Sequence, residues 1–158
     1  MSSNHVLRAK RIFFFSLLGL LTACSSGEKV LVATGGMINL SDESGRWLVL
    51  NYWADWCRPC KEEIPELNQL HIDRKTYGLM VLGINFDALA GEELQAQITS
   101  MGIRFPVLVD DPRLKYGYVD PEVLPMTVLI DPDRVVAKIL VGPQSAEGIL
   151  KIIDSYKG

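Results

Sequence analysis

Residues 47–60 of this 158-residue chain are Trp47-Leu48-Val49-Leu50-Asn51-Tyr52-Trp53-Ala54-Asp55-Trp56-Cys57-Arg58-Pro59-Cys60. The first seven are bulky and, apart from one Asn, apolar or aromatic, which is typical of a buried central strand. Apolar residues then recur every three to four positions at Ile64, Leu67 and Leu70, which predicts a helix that ends before Gly78. The segment therefore predicts a strand that passes into a helix, with two cysteines at the junction.

The rest of the chain continues this alternation of strands and helices. Further strands are predicted at residues 37–40, 79–86, 106–109, 127–130 and 135–141, and helices at 92–101 and from 145 onward, with a helical turn at 112–116. Asp131-Pro132-Asp133-Arg134 predicts a hairpin between the last two strands. Because strands alternating with helices bury their apolar faces against each other, we expect an α/β fold. Its central mixed β-sheet should be flanked by helices on both faces.

The two cysteines lie where the helix is expected to begin, and this position bears on their chemistry. Backbone N–H groups at a helix N-terminus have no partner in the helix, and together with the macrodipole they favour a thiolate. Cys57 is therefore the expected attacking cysteine, and Arg58 adds positive charge beside it. Cys60, one turn into the helix, can attack a mixed disulfide formed at Cys57. Pro59 suits the first helical turn, where a missing N–H costs nothing.

Two roles without redox chemistry fit the pair less well. A zinc site needs two more Cys or His ligands, and beyond residue 24 the chain offers only His71. A structural disulfide across so short a loop would stabilise the fold little. With three cysteines and two histidines in the whole chain, we expect neither a metal nor a cofactor.

Residues 51–60 resemble the active-site segment of the thioredoxin superfamily, and closely that of the TlpA/ResA-like thiol–disulfide oxidoreductases of the bacterial envelope. Pro65 matches the helix-kinking proline of thioredoxins, and residues 124–131 match the strand preceded by their cis-proline. The resemblance covers residues 37–156 and implies a thioredoxin-like fold. It also implies a cis Leu124–Pro125 bond, with Pro125 beside the two sulfurs. A trans proline that opens a strand is the alternative.

The resemblance also assigns supporting roles around the cysteines. Asn51 occupies a position at which thioredoxin has a buried Asp and the envelope branch commonly has Asn. Trp56 either shields the cysteines or serves only in packing. ResA-like members carry a Glu near the end of the strand that matches residues 79–86. Ala88 falls there, so the neighbouring Asp87 is the candidate acid/base, or else an exposed loop acid. Glu62 and Glu63 are expected on the solvated face of their helix.

The resemblance implies an enzyme that reduces disulfides of envelope proteins, with apocytochrome c, oxidised envelope proteins or a peroxidase as clients. A membrane-embedded electron donor of the thiol-transfer type would re-reduce it. Thiolate stabilisation makes a cysteine pair more oxidising, so a dithiol oxidase or isomerase stays open. A peroxidase usually has Pro-x-x-x-Thr-x-x-Cys, but Ala54 occupies the Thr position. A Cu(I) chaperone would use Cys57, Cys60 and Met126 as soft ligands.

The N-terminus has the composition of a bacterial secretory signal. Three cations at positions 8–11 precede an apolar run over residues 12–21, which is too short to span a bilayer as a helix. Leu21-Thr22-Ala23-Cys24 resembles the lipobox, in which the Cys becomes the lipidated first residue; a plain signal or an uncleaved anchor is the alternative. We expect a signal peptide over residues 1–23, a flexible tether over 24–36 and a thioredoxin-like domain over 37–158.

Charge and the lipobox together bear on location and partners. The formal net charge is −3, and it becomes −6 without the three cations of residues 1–23. An acidic body argues against nucleic-acid binding. We expect a monomer that is lipid-anchored at Cys24 and faces the periplasm. By analogy with known lipoproteins, Ser25 after the lipidated Cys, in place of Asp, favours the outer membrane.

The lipid anchor predicts that replacing Cys24 with Ala releases the protein from membranes, because each buried acyl CH₂ contributes about 0.8 kcal/mol to membrane binding. Fractionation of cells that express wild-type and Cys24→Ala chains measures this. A variant that stays in the membrane fraction would rule out the lipid anchor.

Overall fold

The computed structural model describes residues 29–157, so the predictions for residues 1–28 lie outside the described range. The elements are β1 Lys29–Leu31, β2 Met37–Asn39, β3 Trp47–Trp53, α1 Arg58–Ile72, α2 Arg74–Tyr77, β4 Leu79–Asn85, α3 Gly91–Met101, β5 Val107–Leu108, α4 Arg113–Tyr116, β6 Met126–Ile130, β7 Val136–Val141 and α5 Ala146–Ser155. Within residues 29–157, no helix combines the length and apolarity that a membrane crossing requires.

A five-stranded mixed sheet in the order β5-β4-β3-β6-β7 forms the centre of the fold. β3 is parallel to β4 and β4 to β5, whereas β6 is antiparallel to both β3 and β7. Every residue of β3 and β4 is buried, which explains why their sequences are almost continuously apolar. The predicted α/β fold with a mixed sheet is confirmed.

Side chains alternate along β3 between the two faces of the sheet. Val49 and Trp53 join the core beneath α1, α3 and α5, together with both cysteines. Leu48 and Tyr52 join the core on the other face, which α4 and the β1–β2 hairpin cover. Gly83 of β4 has no room for a side chain, since a Cβ there would lie 3.0 Å from Trp53 Nε1 and 2.9 Å from the Phe105 ring.

The predicted flexible tether is wrong over residues 29–36, which belong to the folded domain. β1 pairs with β2 from Lys29 to Leu31, and the following Val32 is buried. Ala33 N–H donates to the carbonyl of Val107 at 2.8 Å, so this segment covers the β5 edge of the main sheet. Pairing at that edge, together with burial of Val32, holds a segment whose small polar residues suggested flexibility. The folded domain therefore begins no later than Lys29.

Candidate active site

Cys57 and Cys60 form a disulfide at the junction of β3 and α1, with their Cα atoms 5.3 Å apart. Cys57 is the N-cap residue of α1, and its Sγ accepts a hydrogen bond from the Cys60 backbone N–H at 3.2 Å. Cys57 is 4 % exposed, whereas Cys60 is completely buried. The cysteine that keeps some exposure is therefore the one at which the helix N-terminus favours a thiolate.

The residues between the cysteines differ in what they contribute. Pro59 lies in the first turn of α1, as predicted. The Arg58 side chain is 90 % exposed, and its Nε lies 3.4 Å from Glu62 Oε1 one turn along the helix. Its charge is directed along the exposed face of α1. The helix N-terminus, rather than Arg58, is therefore the positive group that the structure places at Cys57.

Trp56 is held in place by the loop that follows β4. Its indole N–H donates to Asp87 Oδ2 at 2.9 Å, and its ring meets Phe86 edge-on with centroids 6.0 Å apart. Trp56 remains 61 % exposed. Asp87 thus orients an exposed aromatic ring next to Cys57. A role for Asp87 as acid/base stays a prediction.

The Leu124–Pro125 peptide bond is cis, as the resemblance implies. Pro125 is buried and immediately precedes β6, while Leu124 packs against the core cluster that contains both cysteines. The carbonyl of Pro125 accepts a hydrogen bond from the Gly142 N–H at 2.9 Å. The cis-proline segment is thereby brought to the side of the core where the disulfide lies.

Glu63 is buried, so its predicted place on the solvated helix face is wrong; the neighbouring Glu62 does lie on that face. Glu63 is 1 % exposed. Its carboxylate accepts hydrogen bonds from Asn51 Nδ2 at 2.7 Å and from the Gln144 backbone N–H at 2.9 Å. It follows Cys60 by three residues, which puts both on one face of α1.

The ionisation of Glu63 is shifted to neutral pH. Burial raises the pKa of Glu63 to about 7, while the hydrogen bonds from Gln144 and Asn51 act in the opposite direction. An acid that titrates near the working pH is suited to general acid–base catalysis. The sequence carried a signal for this residue, because Glu63, Leu67 and Leu70 share the spacing of the buried helix stripe.

Asn51 connects this acid to the sheet. It is completely buried, and its Nδ2 donates to Thr127 Oγ1 at 3.1 Å as well as to Glu63. Its Oδ1 has no hydrogen-bond partner among residues 29–157. Asn51 therefore holds a buried acid in place rather than providing one.

Copper or zinc chemistry finds little support in the arrangement of the site. Met126 belongs to the core on the face of the sheet opposite the cluster of Cys57 and Cys60. Within the described part of the chain, no group of three or more His, Cys, Asp or Glu side chains converges as metal ligands do. The Met126 side chain thus lies on the other face of the sheet from the two sulfurs, and it is not placed to join them as a third soft ligand.

Comparison with known proteins agrees with this geometry. Residues 28–139 match the model of the AhpC/TSA family. The chain belongs to the AhpC/TSA family. Within it, the thiol–disulfide oxidoreductase ResA of Bacillus subtilis (strain 168) is 35 % identical over 126 residues, which cover 78 % of this chain and 68 % of ResA.

Solved structures of thiol–disulfide enzymes resemble this family member closely. A thioredoxin-family thiol:disulfide interchange protein from Chlorobium tepidum TLS has a TM-score of 0.69 at 25 % identity, covering 84 % of this chain and 94 % of that chain. A secreted thiol–disulfide isomerase from Corynebacterium glutamicum has a TM-score of 0.65 at 27 % identity, with 80 % of each chain covered. The family member described here is accordingly a thioredoxin-like thiol–disulfide oxidoreductase that exchanges disulfides through its cysteines.

The raised pKa of Glu63 predicts a pH-dependent stability. Between the unfolded value of 4.5 and the folded value of about 7, the folded protein keeps a proton that the unfolded chain has released. The free energy of unfolding should therefore fall as pH rises through this window, by about 3 kcal/mol at most. Urea unfolding of the oxidised protein at several pH values measures this fall.

Two variants separate Glu63 from other acids. Position 63 is uncharged at every pH in Glu63→Gln. The decrease in the free energy of unfolding that Glu63 causes should therefore disappear in that variant. Glu62→Gln, on the exposed face one residue earlier, should retain the wild-type pH dependence. Equal pH dependence in the Glu63→Gln variant and the wild type would contradict the assignment.

Proposed function

We propose that this oxidoreductase reduces disulfides of envelope proteins, with Cys57 as the attacking and Cys60 as the resolving cysteine. The observation that carries the proposal is the asymmetry of the pair. Cys57 caps α1 and keeps 4 % exposure, whereas Cys60 has none and lies on the helix face that carries Glu63. The two steps of exchange require a thiolate that a client can reach and a second thiol that can lose its proton, and these two cysteines would meet those requirements in turn.

In the reduced enzyme, the Cys57 thiolate attacks one sulfur of a client disulfide. A mixed disulfide forms, and the other client sulfur leaves as a thiolate. Cys60 then gives its thiol proton to Glu63, and the resulting thiolate attacks Cys57 Sγ. The Cys57–Cys60 disulfide forms, the second client sulfur leaves as a thiolate, and two electrons have passed to the client. Asp87 is the other candidate proton acceptor, although its carboxylate already accepts the Trp56 N–H.

The proposed setting is the bacterial envelope, with a lipid on Cys24, the domain facing the periplasm and the outer membrane favoured. Since the folded domain begins no later than Lys29, only residues 25–28 separate it from the lipidated Cys24. The five Cα–Cα steps from Cys24 to Lys29 span at most about 18 Å, so the domain would stay close to the bilayer. A membrane electron donor of the thiol-transfer type would then return two electrons, and apocytochrome c is one proposed client.

A second direction of exchange has a specific observation in its favour. The Cys60 N–H that faces Cys57 Sγ stabilises the thiolate and hence the reduced form, which raises the reduction potential. A dithiol oxidase or isomerase would benefit from this arrangement. The Cu(I) chaperone is less favoured, because Met126 faces the opposite core.

The reduction potential of the Cys57–Cys60 pair decides between these directions. For a reductase we expect a value near or below that of thioredoxin, about −270 mV, whereas an oxidase would lie near about −120 mV. Equilibration with dithiothreitol or glutathione buffers, followed by thiol trapping, measures it. A value near about −120 mV would overturn the proposed direction of exchange, while thiol–disulfide exchange itself would still hold.

The roles of the two cysteines are tested by single substitutions. Reduced Cys60→Ser should attack a disulfide-bonded peptide and accumulate the mixed disulfide at Cys57, because nothing resolves it. Reduced Cys57→Ser should form little adduct, since Cys60 is buried. Non-reducing mass spectrometry identifies the linked cysteine. Accumulation on Cys60 in the Cys57→Ser variant, with none on Cys57 in the other, would reverse the assignment.

A further inference from the structure

The Gln144 N–H that binds Glu63 belongs to a short connection between β7 and α5. We call residues 142–144 the strap. Both ends of the strap bind the active site: the Gly142 N–H donates to the carbonyl of Pro125 at 2.9 Å, and the Gln144 N–H donates to Glu63 Oε2 at 2.9 Å. The strap therefore links the buried acid to the cis-proline segment.

The side chain of Gln144 closes the strap on itself. Its Nε2 donates to the carbonyl of Gly142 at 2.8 Å, which fixes the peptide next to the one that binds Pro125. Gly142 has φ of +89°, a conformation that side-chain-bearing residues rarely adopt. The turn thus places the Gly142 N–H toward Pro125 while its carbonyl faces Gln144.

We propose that Gln144 is a positioning residue that couples Glu63 to the Pro125 segment: its N–H binds the carboxylate, and its amide holds Gly142, whose N–H holds the Pro125 carbonyl. The three hydrogen bonds form one continuous path between the group that is proposed to take the proton of Cys60 and the Pro125 segment. The resemblance to thioredoxins implies that partner peptides pair with the backbone of this segment. Gln144 acts through Glu63 and Gly142 rather than on the sulfurs themselves.

The consequence for catalysis rests on the proposed function. A hydrogen bond to an ionised carboxylate is roughly twice as strong as one between neutral groups. When Glu63 takes the proton of Cys60, its bond from the Gln144 N–H weakens, and the strap holds Pro125 less firmly. The proton transfer that starts resolution thereby loosens the Pro125 segment at the step in which the client leaves.

The surroundings of Glu63 leave few other groups to dominate this titration. β3 and β6 present the uncharged Asn51 and Thr127, and Cys60 does not titrate in the oxidised protein. On α1 the charged or titratable groups are Arg58 and Glu62, which pair with each other, the exposed Lys61, Glu66, which accepts the Ala146 N–H, and the half-buried His71. On α5 they are Glu147 and Lys151, which pair with each other, and Asp154, which pairs with Lys157. All of them except His71 lie at exposed positions.

An amide titration of the oxidised full chain in detergent tests the coupling. In ¹⁵N-labelled wild type, the amide resonances of residues 142 and 144 should shift together, with the midpoint of Glu63 near pH 7. Glu63→Gln should abolish both shifts. In Gln144→Ala the residue 144 amide should still titrate, because its N–H remains, but the Gly142 shift should shrink more than about twofold.

Gln69→Ala, which removes a Gln side chain from the exposed part of α1, is the matched control and should leave both titrations unchanged. The coupling is wrong if the Gly142 amide does not titrate in the wild type, or if it titrates as fully in Gln144→Ala as in the wild type. The wild-type titration decides even where a variant folds poorly. Because no client is present, this result is independent of the direction of exchange, which the reduction potential tests.

Discussion

The first turn of α1 has backbone N–H groups with no partner inside the helix, and the chemistry of the site depends on where they point. Cys57 caps this turn with its Sγ, and its place is set by β3, which is buried along its whole length. Gly83 of the neighbouring strand lets the Trp53 ring pack against the sheet. The position of the cysteine is thus fixed by a strand that is buried along its whole length.

β3 also holds two other parts of the site: the buried Glu63 and the segment that leads to Pro125. Asn51 points to the helical face and holds Glu63. Tyr52, one residue later, points to the other face, where its hydroxyl donates to Asp111 at 2.6 Å and lies 2.9 Å from the Tyr118 hydroxyl. Burial and Asp111 raise the pKa of Tyr52 well above its ordinary value, so this hydroxyl stays a donor. Tyr118 belongs to the segment that leads to Pro125, so β3 also anchors that segment.

Strong periodic patterns made most of the fold predictable, and the misses have physical causes. The fully buried β3 and β4 and the apolar stripe of α1 are long enough to be read from sequence. β1 has three residues and depends on pairing with β2 and on the β5 edge, so local sequence carries little sign of it. The cis bond at Pro125 came from the resemblance. Glu63 was misplaced because a charged residue is by default solvated, and only its i+4 and i+7 relation to Leu67 and Leu70 indicates burial.

An amide at position 51 suits an acid that has to exist in two protonation states. An Asp beside Glu63 would repel the ionised carboxylate, and two neighbouring carboxyl groups titrate as a pair. Asn51 donates to the ionised acid as observed, and an amide that turns by half a rotation offers an acceptor to the neutral acid instead. The Asn51 Oδ1 has no partner within residues 29–157, so after that turn it can accept a hydrogen bond from the neutral Glu63. The carbonyl oxygen that is unpaired beside the ionised acid thus gains a donor when Glu63 is protonated.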